Sequence, residues 1–526
     1  MVVLLIAGNL FALEFADQSA RSAAMGGAFT AVAQDAIGAF YNPAGLASQR
    51  KGIDIQVPFG FNLLTTKDIL KEAEEIYKRG NNFSISNKTG SNLTAAEYAK
   101  AVDLLKQLGD IDKPGAGILM QGGGALAVRF KNWGISVNSG IYVFADPNVD
   151  LQNIAFGVGK NNVSSNDTVL TQLKDFAVIQ AGVRGIGGGA AAALTGADST
   201  LAVSLAQMIS GSGINLGGGV TAQDLANELV YQASLYKNTL SLTDKDGKTY
   251  YLDQSSLNFA LPILVQTAID IETGTSSGNS IDSNATSLAF NGLWLTEVAL
   301  SYGRENIFKI NNLDLGINLK VMKGTTGFYE KRLKDEEFEA EDIKDDFDKT
   351  KKETTTFGVD LGLMYSLTDA GKTKIGLVVK NINTPKFDQP DSAIIAGYGK
   401  EIELKPQARL GVSFHPWKRV FVTADYDVTK NKTIMKNYKS QIFAAGLELN
   451  LLKQEQKNFN IALRGGYKSN LAEKDEGAIL TAGIGFGLLH CQLDISGNMS
   501  TKKVQNEDGD KIPQAAGVMA TLSLNF

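Results

Sequence analysis

The sequence predicts an all-β fold, a 14-stranded antiparallel transmembrane β-barrel. Three observations predict it. Apolar and polar residues alternate at period two through segment after segment, which puts successive side chains on opposite faces of a strand. Most of these segments run ten residues or more, the length of a tilted strand crossing a bilayer rather than the five or six usual in soluble sheets. The connections between them also go long, short, long, short, as they do when the two rims of a barrel face different compartments.

Taken in order, the chain opens on "MVVLLIAGNLFALEFADQ", whose apolar run reads as a signal peptide over 1–12, with cleavage near Ala12. Residues 13–52 form a second unit. "RSAAMGGAFTAVAQDAIGAFYNPAGLASQ" is broken by Gly26, Gly27, Gly38 and Pro43. It therefore lacks the roughly 20 continuous apolar residues of a membrane helix, yet it is too apolar for a solvated tail. Such a segment needs a container. The barrel, 53–526, supplies one, because fourteen strands enclose a lumen that side chains alone do not fill.

The strands are expected at 53–63, 117–130, 133–146, 291–304, 310–327, 354–367, 372–383, 405–416, 418–429, 441–450, 458–468, 476–488, 490–499 and 515–526. In "LDLGINLKVMK", Leu313, Leu315, Ile317, Leu319 and Val321 share one face, and Asp314, Gly316, Asn318, Lys320 and Met322 the other. "FGVDLGLMYSL", "ARLGVSFHP" and "VFVTADYDV" repeat the pattern. Lipid cannot satisfy backbone N–H and C=O groups, so a spanning sheet must close on itself. Its polar face is then the lumen, and Asp314, Lys320, Asp360, Arg409, Asp425, Asp427, Arg464 and Asp494 are expected to point inward. A basic residue on the lipid side at mid-bilayer would cost roughly 2–4 kcal/mol. An even strand count leaves both ends of the barrel at the rim with the short turns, and Phe526 reads as the C-terminal signal for the barrel-assembly machinery.

The long connections include the insertions 64–116 and 147–290. "TAAEYAKAVDLLKQLG" reads as a helix, with Thr94 and Glu97 as a capping box and Gly109 as its stop. A further helix is expected near "TAQDLANELVYQASLY". Helices of this kind could form an apolar landing surface over the mouth or a lid packed on itself. "GIGGG" at 185–189 has no following Lys-Ser or Lys-Thr, so it does not read as a phosphate loop. The mixed-sign run "EKRLKDEEFEAEDIKDDFDKTKKE" reads as a solvated loop.

Composition narrows the function classes. A net charge of -5 argues against nucleic acid as a partner. One cysteine, Cys491, excludes an intramolecular disulfide, and two histidines, His415 and His490, leave no visible nucleophile set, so no enzyme, metal or cofactor is expected.

The stretch from Arg21 through "AMGGAFTAVAQDAIGAFYNPAGL", with "NPAGL" (Asn42 to Leu46) leading into the first strand, resembles the N-terminal hatch of the FadL family. These are outer-membrane transporters of long-chain fatty acids and other hydrophobic molecules, and TraF-like and PorV-like members of the superfamily look similar over the same stretch. The resemblance implies passive uptake of a fatty-acid-like or aromatic molecule in the bacterial outer membrane. The hatch residues would be Arg21, Asp35, Asn42, Pro43 and Gly45, with Arg21 and Asp35 pairing with inward barrel charges. Alternation gives Tyr142, Met322, Met364, Phe421 and Met519 as apolar lumen candidates. Family members are thought to release substrate sideways at a kink in the third strand, for which Gly140 is the candidate here. The alternative is a non-transporting barrel that serves as scaffold or shuttle in a secretion or conjugation apparatus. A continuous cavity from the loops to the hatch would favour transport; a packed lumen would favour the scaffold.

Overall fold

A computed structural model describes residues 17–48, 52–66, 115–150, 194–213, 221–235, 240–243, 249–252, 261–262, 265, 285–332, 347–368, 372–454, 459–505 and 510–526. The signal peptide at 1–12, the Thr94 helix and the glycine run at 185–189 lie outside the described residues. So do positions 333–346 of the charged loop.

Fourteen strands form one closed barrel: β1 (Ile53–Thr66), β2 (Gly117–Phe130), β3 (Trp133–Asn148), β4 (Ser287–Arg304), β5 (Leu313–Arg332), β6 (Lys352–Ser366), β7 (Thr373–Lys380), β8 (Gln407–Trp417), β9 (Val420–Asp427), β10 (Ile442–Gln454), β11 (Phe459–Asn470), β12 (Ile479–Leu488), β13 (Cys491–Ser500) and β14 (Ala515–Asn525). Each strand pairs antiparallel with its sequence neighbours, and β14 returns to β1 from Asp54↔Asn525 to Leu64↔Ala515. All fourteen strands expected from alternation are present. The two-residue turn at 131–132 and the turns at 418–419 and 489–490 define one rim.

The two faces are chemically distinct. Val57, Phe59, Phe61, Leu126, Ile135, Leu319, Val321, Phe357, Leu410, Val412, Leu447, Ile484 and Leu522 face outward and are exposed. Lys320, Asp360, Arg409, Asp425, Asp427, Arg464 and Asp494 are buried on the inner face, and Asp314 is half-buried beside them. No helix among the described residues is long and apolar enough to cross a membrane.

Residues 17–48 lie against the inner wall. They form α1 (Ala20–Ala24), α2 (Gly38–Tyr41) and a 3-10 turn at Pro43–Ala47. Ser19 caps α1 by accepting from Ser22 N–H at 3.1 Å, and Asn42 caps the 3-10 turn by accepting from Ala44 N–H at 3.1 Å. Pro43 follows at the first position of that turn, where its missing N–H costs nothing.

Several connections build small structures that alternation did not reveal. The large insertion holds α3 (Gly196–Gly211) and α4 (Ala222–Leu235), and further on Lys386–Asp388 pairs with Glu401–Glu403 around α5 (Asp391–Ile395). The apolar faces of α3 and α4 meet each other through Leu205, Ile209, Ala226 and Val230. Between the two expectations for this region, its described part packs on itself.

Candidate functional site

The fit between residues 17–48 and the wall begins with absent side chains. Gly303, Gly316 and Gly362 are direct cross-strand neighbours on β4, β5 and β6. Gly376 pairs with Gly411, and Gly446 with Gly466. All face inward, and a Cβ on any of them would collide with the luminal segment: with Leu46 and Ala47 at Gly303, Pro43 and Ala44 at Gly316, Asn42 and Pro43 at Gly362, Thr30 and Ala31 at Gly376, and Met25 at Gly446. Close approach of two backbones is a physical reason for glycine within a strand.

Polar groups then fix the register. Asp425 of β9 accepts from Phe29 N–H (3.0 Å), Thr30 N–H (2.9 Å) and the Thr30 hydroxyl (2.7 Å). Asp54 and Gln56 of β1 accept from Ala36 and Ile37 N–H at 2.7 and 2.9 Å. Asn318 of β5 donates to Ala39 O at 2.9 Å. Thr481 of β12 donates to Ala24 O at 2.8 Å and accepts from Gly26 N–H at 3.0 Å. Arg129 of β2 donates to the carbonyls of Gln34, Leu46 and Ser48. Backbone groups that a segment with little regular structure would leave unsatisfied thus find partners on the wall, as burial demands.

Charge completes the attachment. Arg21 Nε donates to Glu448 Oε2 at 2.8 Å, and Arg464 donates to the same oxygen at 2.8 Å and to Asp494 at 2.7 Å. Nearby wall charges pair among themselves: Arg409 with Asp427 at 2.6 Å, and Lys320 with Asp360 at 2.9 Å and Glu297 at 3.4 Å. The Lys380 ammonium stands 3.3 Å over the Phe40 ring.

Above the segment, towards the long connections, the lumen is apolar. Leu119, Tyr142, Phe144, Leu293, Leu295 and Met322 come from strands, and Phe387, Ile402, Leu404, Ile434, Met435 and Tyr438 come from connections folded inward onto them. Tyr398 anchors one of these connections by donating its hydroxyl to Asp146 at 3.0 Å.

Two clefts run beside this cluster. One, of about 70 Å3, is lined by Leu64, Leu119, Tyr438, Ile442, Lys468, Asn470, Ile479 and Asn498. The other, of about 40 Å3, is lined by Pro58, Gly60, Gly123, Gly140, Tyr142 and Met519. They share Asp17, Asn62 and Gln121. At the smaller cleft the wall is built of Pro58, Gly60, Gly123 and Gly140, with the Met519 side chain against Gly60 and the Tyr142 ring against Gly140.

The structure sorts the residues singled out from the sequence. Arg21 meets a barrel carboxylate, but Asp35 faces Arg21 at 3.9 Å rather than a barrel cation. Asn42 donates to Thr30 O and to Leu363 O of β6, both at 3.0 Å. Gly45 lies against the Ala33 carbonyl of its own segment, so its lack of a side chain serves packing within 17–48. Tyr142 and Met322 belong to the upper apolar cluster. Phe421 shares a buried cluster with Phe29 and Tyr41, and Met519 one with Ala20 and Ala23. Met364 is buried on β6, beside the segment's attachment. At Gly140 no bulge interrupts β3, which pairs without a register shift from Trp133 to Asn148. Phe526 closes the seam with Ile53 at 2.9 and 3.0 Å and stacks on His490.

Sequence reasoning placed Asn318 on the luminal face but missed the cross-strand row of inward glycines and the polar wall residues Asp54, Gln56, Arg129, Glu448 and Thr481. A signal for the glycines was present: "DLGINL", "DLGLMY", "KIGLVV", "RLGVSF" and "AAGLEL" each carry one on the polar face.

A family model described as "F plasmid transfer operon, TraF, protein" matches residues 247–427. No curated protein matches the chain. Among solved structures, the toluene transporter TbuX of Ralstonia pickettii is similar at 11% identity and TM-score 0.41, over 98% of this chain and 99% of that one. The CymD monoaromatic hydrocarbon channel is similar at 10% identity and TM-score 0.40, over 98% and 99%. A FadL homologue of Pseudomonas aeruginosa is similar at 10% identity and TM-score 0.37, again over 98% and 99%.

Proposed function

We propose that this protein is a passive outer-membrane channel for small hydrophobic molecules, fatty-acid-like or aromatic, with residues 17–48 as its hatch. The observation that carries the reading is the pair of adjoining clefts that descends from beneath the outer connections to Asp17, at the head of the luminal segment. Leu64, Leu119, Ile442 and Ile479 offer apolar surface along that path, and Asn62, Gln121 and Lys468 offer polar anchor points. The apolar outer belt supports residence in a bilayer. Outer connections gather the ligand, Tyr142 and Met322 form part of its upper binding surface, and a shift of the hatch opens the path. Release sideways, past Gly123 and Gly140 of the wall, belongs to the same proposal, as does recognition of Phe526 by the barrel-assembly machinery. No energy source is required.

The experiment is uptake of labelled oleate and toluene by bacterial cells that lack their own channels for such compounds. Expression is expected to raise uptake, and Gln121→Trp, which fills the junction of the clefts, to lower it at least about tenfold. Uptake no greater than in empty cells would end the transport reading.

A second reading has its own support. The TraF match and the inward-folded Phe387, Ile402, Leu404 and Met435 fit a sealed barrel that acts as scaffold in a secretion or conjugation apparatus. That reading expects no uptake, together with co-purification of envelope components of such an apparatus.

A further inference from the structure

The outer wall carries a concavity that the lumen does not need. Across β3 to β6, Ile135, Leu300 and Leu319 lie in one cross-strand row, with Val298, Val321 and Phe357 in the row above. All six point outward, and they line an open apolar groove of about 360 Å3. Along β4 the outward positions continue from Leu300 to Tyr302 and then Arg304. Tyr302 packs against Trp133, ring centres 4.6 Å apart and the planes tilted by 45°, and Arg304 is exposed at the short-turn rim. Lys131, in the neighbouring turn, is exposed there too, its ammonium 5.2 Å from the Phe130 ring.

Spacing ties the groove to the cations. Arg304 is six residues beyond Val298, about 20 Å along a strand and about 15 Å along the bilayer normal at a tilt near 40°. That is about half of the ~30 Å hydrocarbon thickness, the depth of one leaflet. An aromatic pair marks the interface between them, where Trp and Tyr concentrate. Neither Arg304 nor Lys131 has an ion-pair partner among the described residues, and the acid beside them, Glu305, is half-buried in the turn.

We propose that this face binds one anionic phospholipid of the leaflet at the short-turn rim, its acyl chain in the groove and its phosphate against Arg304 and Lys131. The proposal rests on the reading of the barrel as membrane-embedded and is independent of what the lumen transports. Two cations held at an anionic headgroup are expected to favour phosphatidylglycerol over phosphatidylcholine by about tenfold.

The test uses the full chain in nanodiscs with spin-labelled phosphatidylglycerol or phosphatidylcholine, measuring the immobilised fraction. The wild-type protein is expected to prefer phosphatidylglycerol. Lys131→Gln with Arg304→Gln should bring the two lipids level, whereas Val321→Trp, which fills the groove, should reduce immobilisation of both. Lys418→Gln with Arg419→Gln, at the same rim away from the groove, should keep the preference. No preference in the wild type, or equal loss in both cation pairs, overturns the site. Failure of the chain to enter nanodiscs would instead end the membrane reading. Heat-modified gel mobility checks that each variant is folded.

Discussion

Glu448 holds two guanidinium groups on one carboxylate, and the inner wall around it is largely closed to water. Removing one partner of a buried charge cluster leaves the others uncompensated, at a cost of about 3–5 kcal/mol. Glu448→Gln is therefore expected to destabilise the folded barrel by that order, read from urea unfolding in lipid vesicles. Arg21→Met should cost less, because the Arg21 side chain keeps 28% of its exposure and Arg464 remains on Glu448. At the mouth, burial first and the Asp146 carboxylate second push the Tyr398 phenol well above the ordinary tyrosine value of 10.0. A folded value raised in this way makes the neutral phenol's contribution complete below about pH 10, with loss only as pH climbs above it. Absorbance titration is expected to show a late step above pH 10, and Tyr398→Phe should lower its amplitude by one tyrosine.

Period two makes the strands legible in the sequence itself. Outward Leu319 and Val321 against inward Lys320 and Met322 can be arranged in only one way if lipid lies outside. The inward charges of β5, β6, β8, β9, β11 and β13 were readable for that reason. The glycine row was not, because a residue without a side chain carries no weight in a hydropathy pattern; only cross-strand register turns Gly303, Gly316 and Gly362 into one feature. The hairpin of Lys386–Asp388 with Glu401–Glu403 escaped for a different reason, since three residues are too few to set a period. Gly140 was read as a bend because a lone glycine in a strand suggests one; the structure adds that the Tyr142 ring lies where its Cβ would be, a close approach that alternation does not reveal. Gly316→Leu should force Pro43 and Ala44 off the wall. Raised ion conductance in planar bilayers and faster proteolysis within 17–48 are the expected signs. An outward change of the same size, Gly465→Leu, where an added Cβ meets nothing closer than 3.9 Å, should leave both unchanged.

For the molecule as a whole, the question is whether the luminal segment must move for anything to pass. Ala20 N–H donates to Thr521 on β14 at 2.8 Å, so cysteines at these two positions are neighbours. In a Cys491→Ser background, Ala20→Cys with Thr521→Cys is expected to block uptake when oxidised and restore it on reduction. Uptake indifferent to oxidation would mean that the ligand goes around a fixed segment. The glycine row also bears on how the chain comes to be folded. A cylinder tailored so closely to its filling cannot be threaded once the seam between Ile53 and Phe526 has zipped, so residues 17–48 must already be in position when that last edge joins. The chain's opening residues then act as the mandrel around which the wall is wound. Deleting them should slow barrel closure, and a synthetic peptide of the same sequence, added after closure, should not repair it.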